Sequence, residues 1–173
     1  NSHFMNSTGL PHPEHYSSAR DMAILARAII NEDAEHYAIY SQKEFLWNNI
    51  KQPNRNLLLW RDRTVDGLKT GHTSEAGYCL VASAVRDGAR MITSVFGTDS
   101  EQARAAETQK LLTYGFRFFE SRTFYQKGAE LAQATVWKGA TNQVKAGLAE
   151  DLTMTMAKGQ LEKLQASMTL NPQ

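Results

Sequence analysis

The chain has 173 residues, enough for one domain or for one domain and part of another. Apolar residues make up 42% of it, so a sizeable core is expected and a disordered chain is excluded. With 19 basic and 18 acidic residues, the net charge of +1 gives no reason to expect nucleic acid or an anionic membrane as partner. The chain starts at Asn1 and ends within a pattern, so we expect it to be part of a longer polypeptide.

The first third of the chain predicts loops and helices with one strand. Ser18 can cap a helix, with Asp21 three residues later as a variant of the capping box, and apolar residues follow at helical spacing as far as Asn31. Pro53 and Asn54 favour a turn. The predicted elements are a loop over residues 1–16, helices over 18–31 and 34–40, a strand over 45–50 and a loop over 51–56.

The middle of the chain predicts three antiparallel strands and a long helix. Asp87-Gly88 between two apolar, β-branched segments is a strong hairpin signal. Thr98 and Glu101 have the spacing of a capping box. The predicted elements are strands over residues 65–71, 78–85 and 90–96 and a helix over 99–120. This order predicts an α/β fold in which helices pack on the faces of an antiparallel sheet.

Beyond residue 120 the pattern changes to short strands separated by turns that contain glycine. The predicted strands cover residues 131–137, 143–148, 152–156 and 164–170. We therefore expect a domain boundary near residue 120, with residues 121–173 forming part of a small all-β domain.

The most informative motif is Lys69-Thr70-Gly71, at the end of a predicted strand and just before its hairpin partner. A Lys-Thr-Gly motif in this setting is one of three signatures of serine β-lactamases and penicillin-binding proteins. Together with its surroundings, the chain resembles the D-alanyl-D-alanine carboxypeptidases among the low-molecular-mass penicillin-binding proteins. The matching segments, in the order of the family, are residues 3–10, 16–23, 54–56, 65–73, 77–78 and 110–120.

The resemblance implies a serine enzyme that attacks the bond between the two terminal D-alanines of a peptidoglycan stem peptide and forms an acyl-enzyme. The chain contains neither of the other two signatures, Ser-x-x-Lys and Ser-x-Asn. The resemblance therefore implies that residues 1–120 are the C-terminal half of a penicillin-binding, serine β-lactamase-like catalytic domain. The nucleophile and its lysine base are expected upstream of Asn1, so the chain alone is expected to be inactive.

The same resemblance implies roles for four consecutive residues. Lys69 supplies a cation for the terminal carboxylate of the substrate, and Thr70 supplies a hydroxyl donor. Gly71 lets the strand approach the ligand, because no Cβ stands in the way. The backbone N–H of His72 is one donor of the oxyanion hole, and the strand can pair with an extended peptide.

Two arginines outside the motif are further candidates by resemblance. Arg104 helps to neutralise the substrate carboxylate, or else is a solvated arginine on a helix surface. Arg55 lies in a loop near the cleft, or else only anchors that loop. His12 and His15 are three residues apart, but they lie in a loop that contains proline and no cysteine, so we expect neither a metal nor a cofactor.

Two other interpretations stay open besides the carboxypeptidase. A serine β-lactamase would share the motif, although the β-rich segment after residue 120 speaks against it. A non-catalytic module that binds peptidoglycan would lack the nucleophile. The resemblance implies a stem peptide ending in D-Ala-D-Ala and β-lactam antibiotics as ligands, no nucleic acid, and a periplasmic location at the outer face of the inner membrane. Membrane contact is expected only through a segment outside this chain.

Overall fold

The computed structural model describes residues 1–165 and 167. The chain divides into two compact units, Asn1–Arg117 and a second unit that begins at Phe118. The helices are Ala19–Glu32 (α1), Ala34–Tyr37 (α2), Leu58–Arg61 (α3) and Glu101–Phe118 (α4). The strands are Glu44–Trp47 (β1), Ile50–Pro53 (β2), Val65–Thr73 (β3), Gly77–Arg86 (β4), Ala89–Thr98 (β5), Phe119–Tyr125 (β6), Glu130–Thr135 (β7), Gln143–Gly147 (β8) and Leu152–Ala157 (β9).

The first helix begins where its sequence predicts. The Asp21 N–H donates to Ser18 Oγ at 3.1 Å, which satisfies one of the free donors of the first turn and confirms the predicted cap. The helix predicted over residues 34–40 is shorter, because α2 is a single turn that continues into a 3-10 turn at Ala38–Ser41.

Residues 44–53 form a hairpin, so the prediction of one strand over 45–50 and a loop over 51–56 is wrong. β1 pairs antiparallel with β2, and Trp47 faces Ile50 across the turn. Asn48 and Asn49 have φ angles of 48° and 61°, the left-handed conformation that a two-residue hairpin turn of type I′ requires at both positions. Asparagine tolerates this conformation better than most residues do.

Strands β3, β4 and β5 form an antiparallel sheet in that order, which confirms the predicted α/β fold. Asp87 and Gly88 join β4 to β5 with φ angles of 49° and 78°, as the hairpin signal predicts. Helices contribute to an apolar cluster with each face of the sheet. One cluster contains Leu58, Leu59, Leu80, Ala105 and Leu112, and the other contains Ala26, Tyr37, Leu68 and Val81.

The long helix α4 differs from its prediction at both ends. Its cap is Ser100, whose Oγ accepts the Ala103 N–H at 3.0 Å. The Thr98 hydroxyl instead donates to the Tyr78 carbonyl at 2.9 Å, so the predicted Thr98 cap is wrong. The helix ends at Phe118, and the next residue, Phe119, begins β6.

The second unit contains two antiparallel strand pairs, β6 with β9 and β7 with β8. Strand β6 is absent from the prediction, because its first residues continue the aromatic spacing of α4. The strand predicted over 164–170 falls partly outside the described residues, and those described there, 164, 165 and 167, are not in a strand. Within residues 1–165 and 167, no helix combines the length and apolar character needed to cross a bilayer.

Candidate active-site wall

The Lys-Thr-Gly motif lies on an edge of the central sheet. β4 pairs with β3 on one side, with Lys69 opposite Val81 and His72 opposite Tyr78, and among the described strands none pairs with the other side of β3. Lys69, Gly71 and His72 are exposed, and Thr70 is half-buried. An exposed edge strand offers unpaired backbone N–H and C=O groups to an extended peptide.

The positive charges of two arginines, Arg55 and Arg104, act on Lys69. Its Nζ donates a short hydrogen bond to the carbonyl of Thr70. Partial burial, and then the positive charges of Arg55 and Arg104, lower the pKa of Lys69 below its usual value. Because the three positive charges repel one another, an anion that binds among them is stabilised. The structure therefore brings together all three basic residues that the sequence nominated.

Arg104 is buried, so the alternative of a solvated helix-surface arginine is wrong. Only 2% of the residue is exposed, although an arginine on a helix usually faces solvent. Its Nη2 donates to the carbonyl of Arg55 and to Glu101 Oε1, both at 3.1 Å. Its guanidinium carbon lies 5.6 Å from the centre of the Tyr78 ring. These contacts hold a buried positive charge next to the Arg55 loop and to Tyr78 of β4.

Arg55 combines a fixed backbone with an exposed side chain. Its carbonyl accepts the hydrogen bond from Arg104, and the residue as a whole is exposed in the loop before α3. The two alternatives for Arg55 are therefore compatible: its backbone anchors the loop, while the residue stays exposed and its charge acts on Lys69.

The imidazole of His72 stacks on Tyr78. The ring centres are 3.9 Å apart and the planes make an angle of 28°. Because Tyr78 also lies near the Arg104 guanidinium, its ring links the exposed histidine to the buried cation. This contact agrees with an orienting role for the His72 side chain. The sequence contained Tyr78 in a matching segment but gave it no role, because the stacking depends on the register of β3 and β4.

A cavity of about 800 Å³ opens beside the end of β3. Its walls include Thr73, Cys79 and Phe96 from the sheet and Phe4 and Tyr16 from the N-terminal loop. The Cys79 thiol donates to the Ala76 carbonyl at 3.3 Å. Of the edge strand, only Thr73 lines this cavity, so the cavity lies past the Lys-Thr-Gly motif rather than at it.

The histidines of the N-terminal loop organise that loop. His12 Nδ1 accepts the Glu14 N–H and His15 Nδ1 accepts the Met5 N–H, each at 3.1 Å. Over the described part of the chain, no group of three or more His, Cys, Asp or Glu side chains is arranged to hold a metal ion.

Two family models match the chain. Residues 1–100 match the model described as D-alanyl-D-alanine carboxypeptidase, and residues 119–173 match the C-terminal domain of penicillin-binding protein 5. The D-alanyl-D-alanine carboxypeptidase DacA of Escherichia coli K12 is 45% identical over 172 residues, which are 99% of this chain and 43% of that protein. The chain therefore spans less than half the length of this relative.

Solved structures of penicillin-binding proteins share the fold. Penicillin-binding protein 5 of Haemophilus influenzae has a TM-score of 0.83 and 46% identity, covering 94% of this chain and 48% of that chain. Penicillin-binding protein D2 of Listeria monocytogenes in the ampicillin-bound form has a TM-score of 0.62 and 31% identity, covering 66% and 48%. Because the carboxypeptidase model matches more than half of its residues, this chain belongs to the D-alanyl-D-alanine carboxypeptidase family.

Proposed function

We propose that the protein that carries this chain is a serine-type D-alanyl-D-alanine carboxypeptidase, which removes the terminal D-alanine from peptidoglycan stem peptides through an acyl-enzyme. In this proposal residues 1–120 are the C-terminal half of the catalytic domain, and residues 121–173 begin a β-rich second domain. The observation that carries the proposal is the gathering of Lys69, Arg55 and Arg104 beside an exposed edge strand. A carboxypeptidase differs from an endopeptidase in recognising a free carboxylate, and this wall has the charge to bind one.

Each residue of the wall has a physical role. The ammonium of Lys69 faces the substrate carboxylate, and the Thr70 hydroxyl donates to it. The exposed backbone of Gly71 pairs with the peptide, and the missing side chain leaves room for close approach. The His72 N–H donates to the oxyanion that forms when a serine attacks the scissile carbonyl. That serine and its lysine base belong to a segment other than residues 1–173.

The proposed ligands follow from the same reaction. A β-lactam presents a carboxylate and a reactive carbonyl in place of the terminal dipeptide, so it enters the same wall and acylates the serine. The Escherichia coli relative is named a D-alanyl-D-alanine carboxypeptidase, and in this proposal the chain belongs to an enzyme of the bacterial cell wall. A periplasmic location, at the outer face of the inner membrane, would give the enzyme access to peptidoglycan, with membrane contact made by a segment outside this chain.

The test compares two peptides that both end in D-Ala-D-Ala, one with a free carboxylate and one with a C-terminal amide. D-Alanine release from the first and D-alaninamide release from the second are followed with the protein that carries this chain. We expect kcat/KM to favour the carboxylate by about 100-fold, the size of one or two charge-assisted hydrogen bonds. Lys69→Met removes most of this preference. Lys110→Met, a change of an exposed lysine on α4, leaves it intact.

Equal cleavage of both peptides by the unchanged protein would contradict the proposal. So would a Lys69→Met variant that keeps the full preference for the carboxylate. Because Lys69 is exposed, its substitution is not expected to disturb folding.

A further inference from the structure

Asn56 is a buried polar residue at the base of the wall. None of it is exposed. Its Nδ2 donates to the carbonyl of Gly67 at 3.0 Å, and its Oδ1 accepts the Leu58 N–H at 3.2 Å. Both the nitrogen and the oxygen of the side-chain amide are therefore hydrogen-bonded. A buried amide without such partners would destabilise the fold.

These bonds join the loop of Arg55 to the strand of Lys69. Asn56 follows Arg55 directly in the chain, and Gly67 precedes Lys69 by two residues. The side chain of Asn56 thus bridges 11 residues of sequence between two of the cations. The third cation, Arg104, bonds to the carbonyl of Arg55 at 3.1 Å, so it is attached to the same junction.

The junction is held from further sides. The Asn56 N–H donates to Asn54 Oδ1 at 2.9 Å, and Asn54 Nδ2 donates to the Gln42 carbonyl at 2.9 Å, so the loop is tied to the segment before β1. At Gly67, a Cβ atom would lie 2.5 Å from the Tyr37 hydroxyl, so β3 is closely packed on this side as well. Little room remains for the strand or the loop to shift independently.

We propose that Asn56 is a positioning residue for carboxylate recognition: its buried amide sets the distance between Arg55 and Lys69 and keeps both cations at the edge strand. This inference rests on the proposed function. Like charges push Arg55 and Lys69 apart, and an exposed loop arginine moves away unless its backbone is fixed. The hydrogen bond from Asn56 to β3 opposes that movement without touching the substrate.

The test uses Asn56→Leu, which removes the amide at similar size, and Asn56→Ser, which is too short to reach the Gly67 carbonyl. Thr108→Val is the matched control, because Thr108 is also fully buried and its hydroxyl bonds at 2.7 Å to the Arg104 carbonyl within α4. For each variant of the protein that carries this chain, kcat and KM are measured with the carboxylate and the amide peptides, together with Tm.

We expect both Asn56 variants to lower kcat/KM for the carboxylate peptide about 10- to 100-fold, mainly through KM, since small displacements of binding groups have effects of this size. The amide peptide changes by less than about threefold, so the preference for the carboxylate falls. Thr108→Val lowers Tm but keeps the preference. A purely structural Asn56 would lower the rates with both peptides equally.

The outcomes separate the two proposals. If the unchanged protein shows no preference for the carboxylate, the proposed function fails, and the role of Asn56 fails with it. If the unchanged protein prefers the carboxylate and Asn56→Ser keeps that preference, only the role of Asn56 is overturned. Should Asn56→Leu fail to fold, the Asn56→Ser variant decides the question.

Discussion

Replacing Arg104 by methionine tests whether this buried cation supports the wall. The methionine keeps much of the apolar stem and removes the guanidinium. Loss of the charge-assisted bond to the Arg55 carbonyl costs about 1.5–3 kcal/mol, and loss of the contact with the Tyr78 ring costs about 0.5–1 kcal/mol. The bond to Glu101 adds little, because that side chain is 44% exposed and its carboxylate is rehydrated. Relief of the repulsion between this cation and Lys69 offsets part of these losses, so we expect a destabilisation of about 2 kcal/mol.

Thermal unfolding and acylation are the two assays for this variant. For the protein that carries this chain, a loss of about 2 kcal/mol lowers Tm by roughly 4–8 °C. The second-order rate of acylation by a penicillin falls more than about tenfold, because the Arg55 carbonyl is released and one positive charge is lost. Arg27→Met, a change at an exposed position of α1, is the control and leaves both values unchanged. An Arg104→Met variant with unchanged Tm and acylation would show that the reasoning from burial and hydrogen bonds is wrong.

Three further predictions concern Asp62, which bonds to Thr64 and Arg86 at the start of β3, and two residues of the wall. Burial raises the pKa of Asp62, but hydrogen bonds, led by those from Thr64, outweigh this effect and lower the pKa to about 2. The carboxylate therefore stabilises the fold by about 2 kcal/mol above pH 4, and this stabilisation is lost as the pH falls towards 2. In urea unfolding, we expect Asp62→Asn to have a lower free energy of unfolding than the unchanged protein at pH 7, and the difference to be smaller at pH 3. Arg55→Gln removes one of the charges that lower the pKa of Lys69, so the alkaline limb of kcat/KM moves to higher pH; a move to lower pH would contradict the cluster. At Gly71 the nearest atom to an added Cβ is 4.0 Å away, so Gly71→Ala keeps its Tm while kcat/KM falls at least about tenfold, and full activity would remove the close-approach role.

The regular elements of the first unit could largely be predicted from local chemistry. Ser18 caps α1 through a side-chain bond that its position relative to Asp21 suggests. Asp87 and Gly88 adopt positive φ angles, and the apolar segments on either side of this turn pair as neighbouring strands. In these cases the signal lies within a few residues, so the sequence is sufficient.

The missed elements have signals that compete. Asn48-Asn49 forms a tight turn, but asparagine is a weaker turn signal than glycine and the flanking segments are only four residues long. Phe119 continues the aromatic spacing of α4, and only the pairing of β6 with β9 identifies it as the start of a strand. The first case has a weak local signal, whereas the second depends on the pairing of strands that are distant in the sequence, which a local pattern does not show.

The site shows the same division. The motif proposes Lys69 and its neighbours directly as candidates, since they are consecutive in the chain. The burial of Arg104 and the bridge made by Asn56 depend on contacts across 49 and 11 residues, respectively, so no spacing rule could indicate them. Arg104 is a candidate by resemblance, and its burial and its hydrogen bond to the Arg55 carbonyl come from the structure alone.

The proposal that these residues form one wall of an acylating site can be tested by the intact mass of the protein that carries this chain after incubation with a penicillin. We predict one covalent penicilloyl group per protein molecule, on a polypeptide heavier than the 19.4 kDa of residues 1–173, and slower formation of this adduct in Lys69→Met. A protein whose mass stays unchanged at saturating penicillin would contradict the account, because the carboxylate-binding wall would then have no acylating serine to serve.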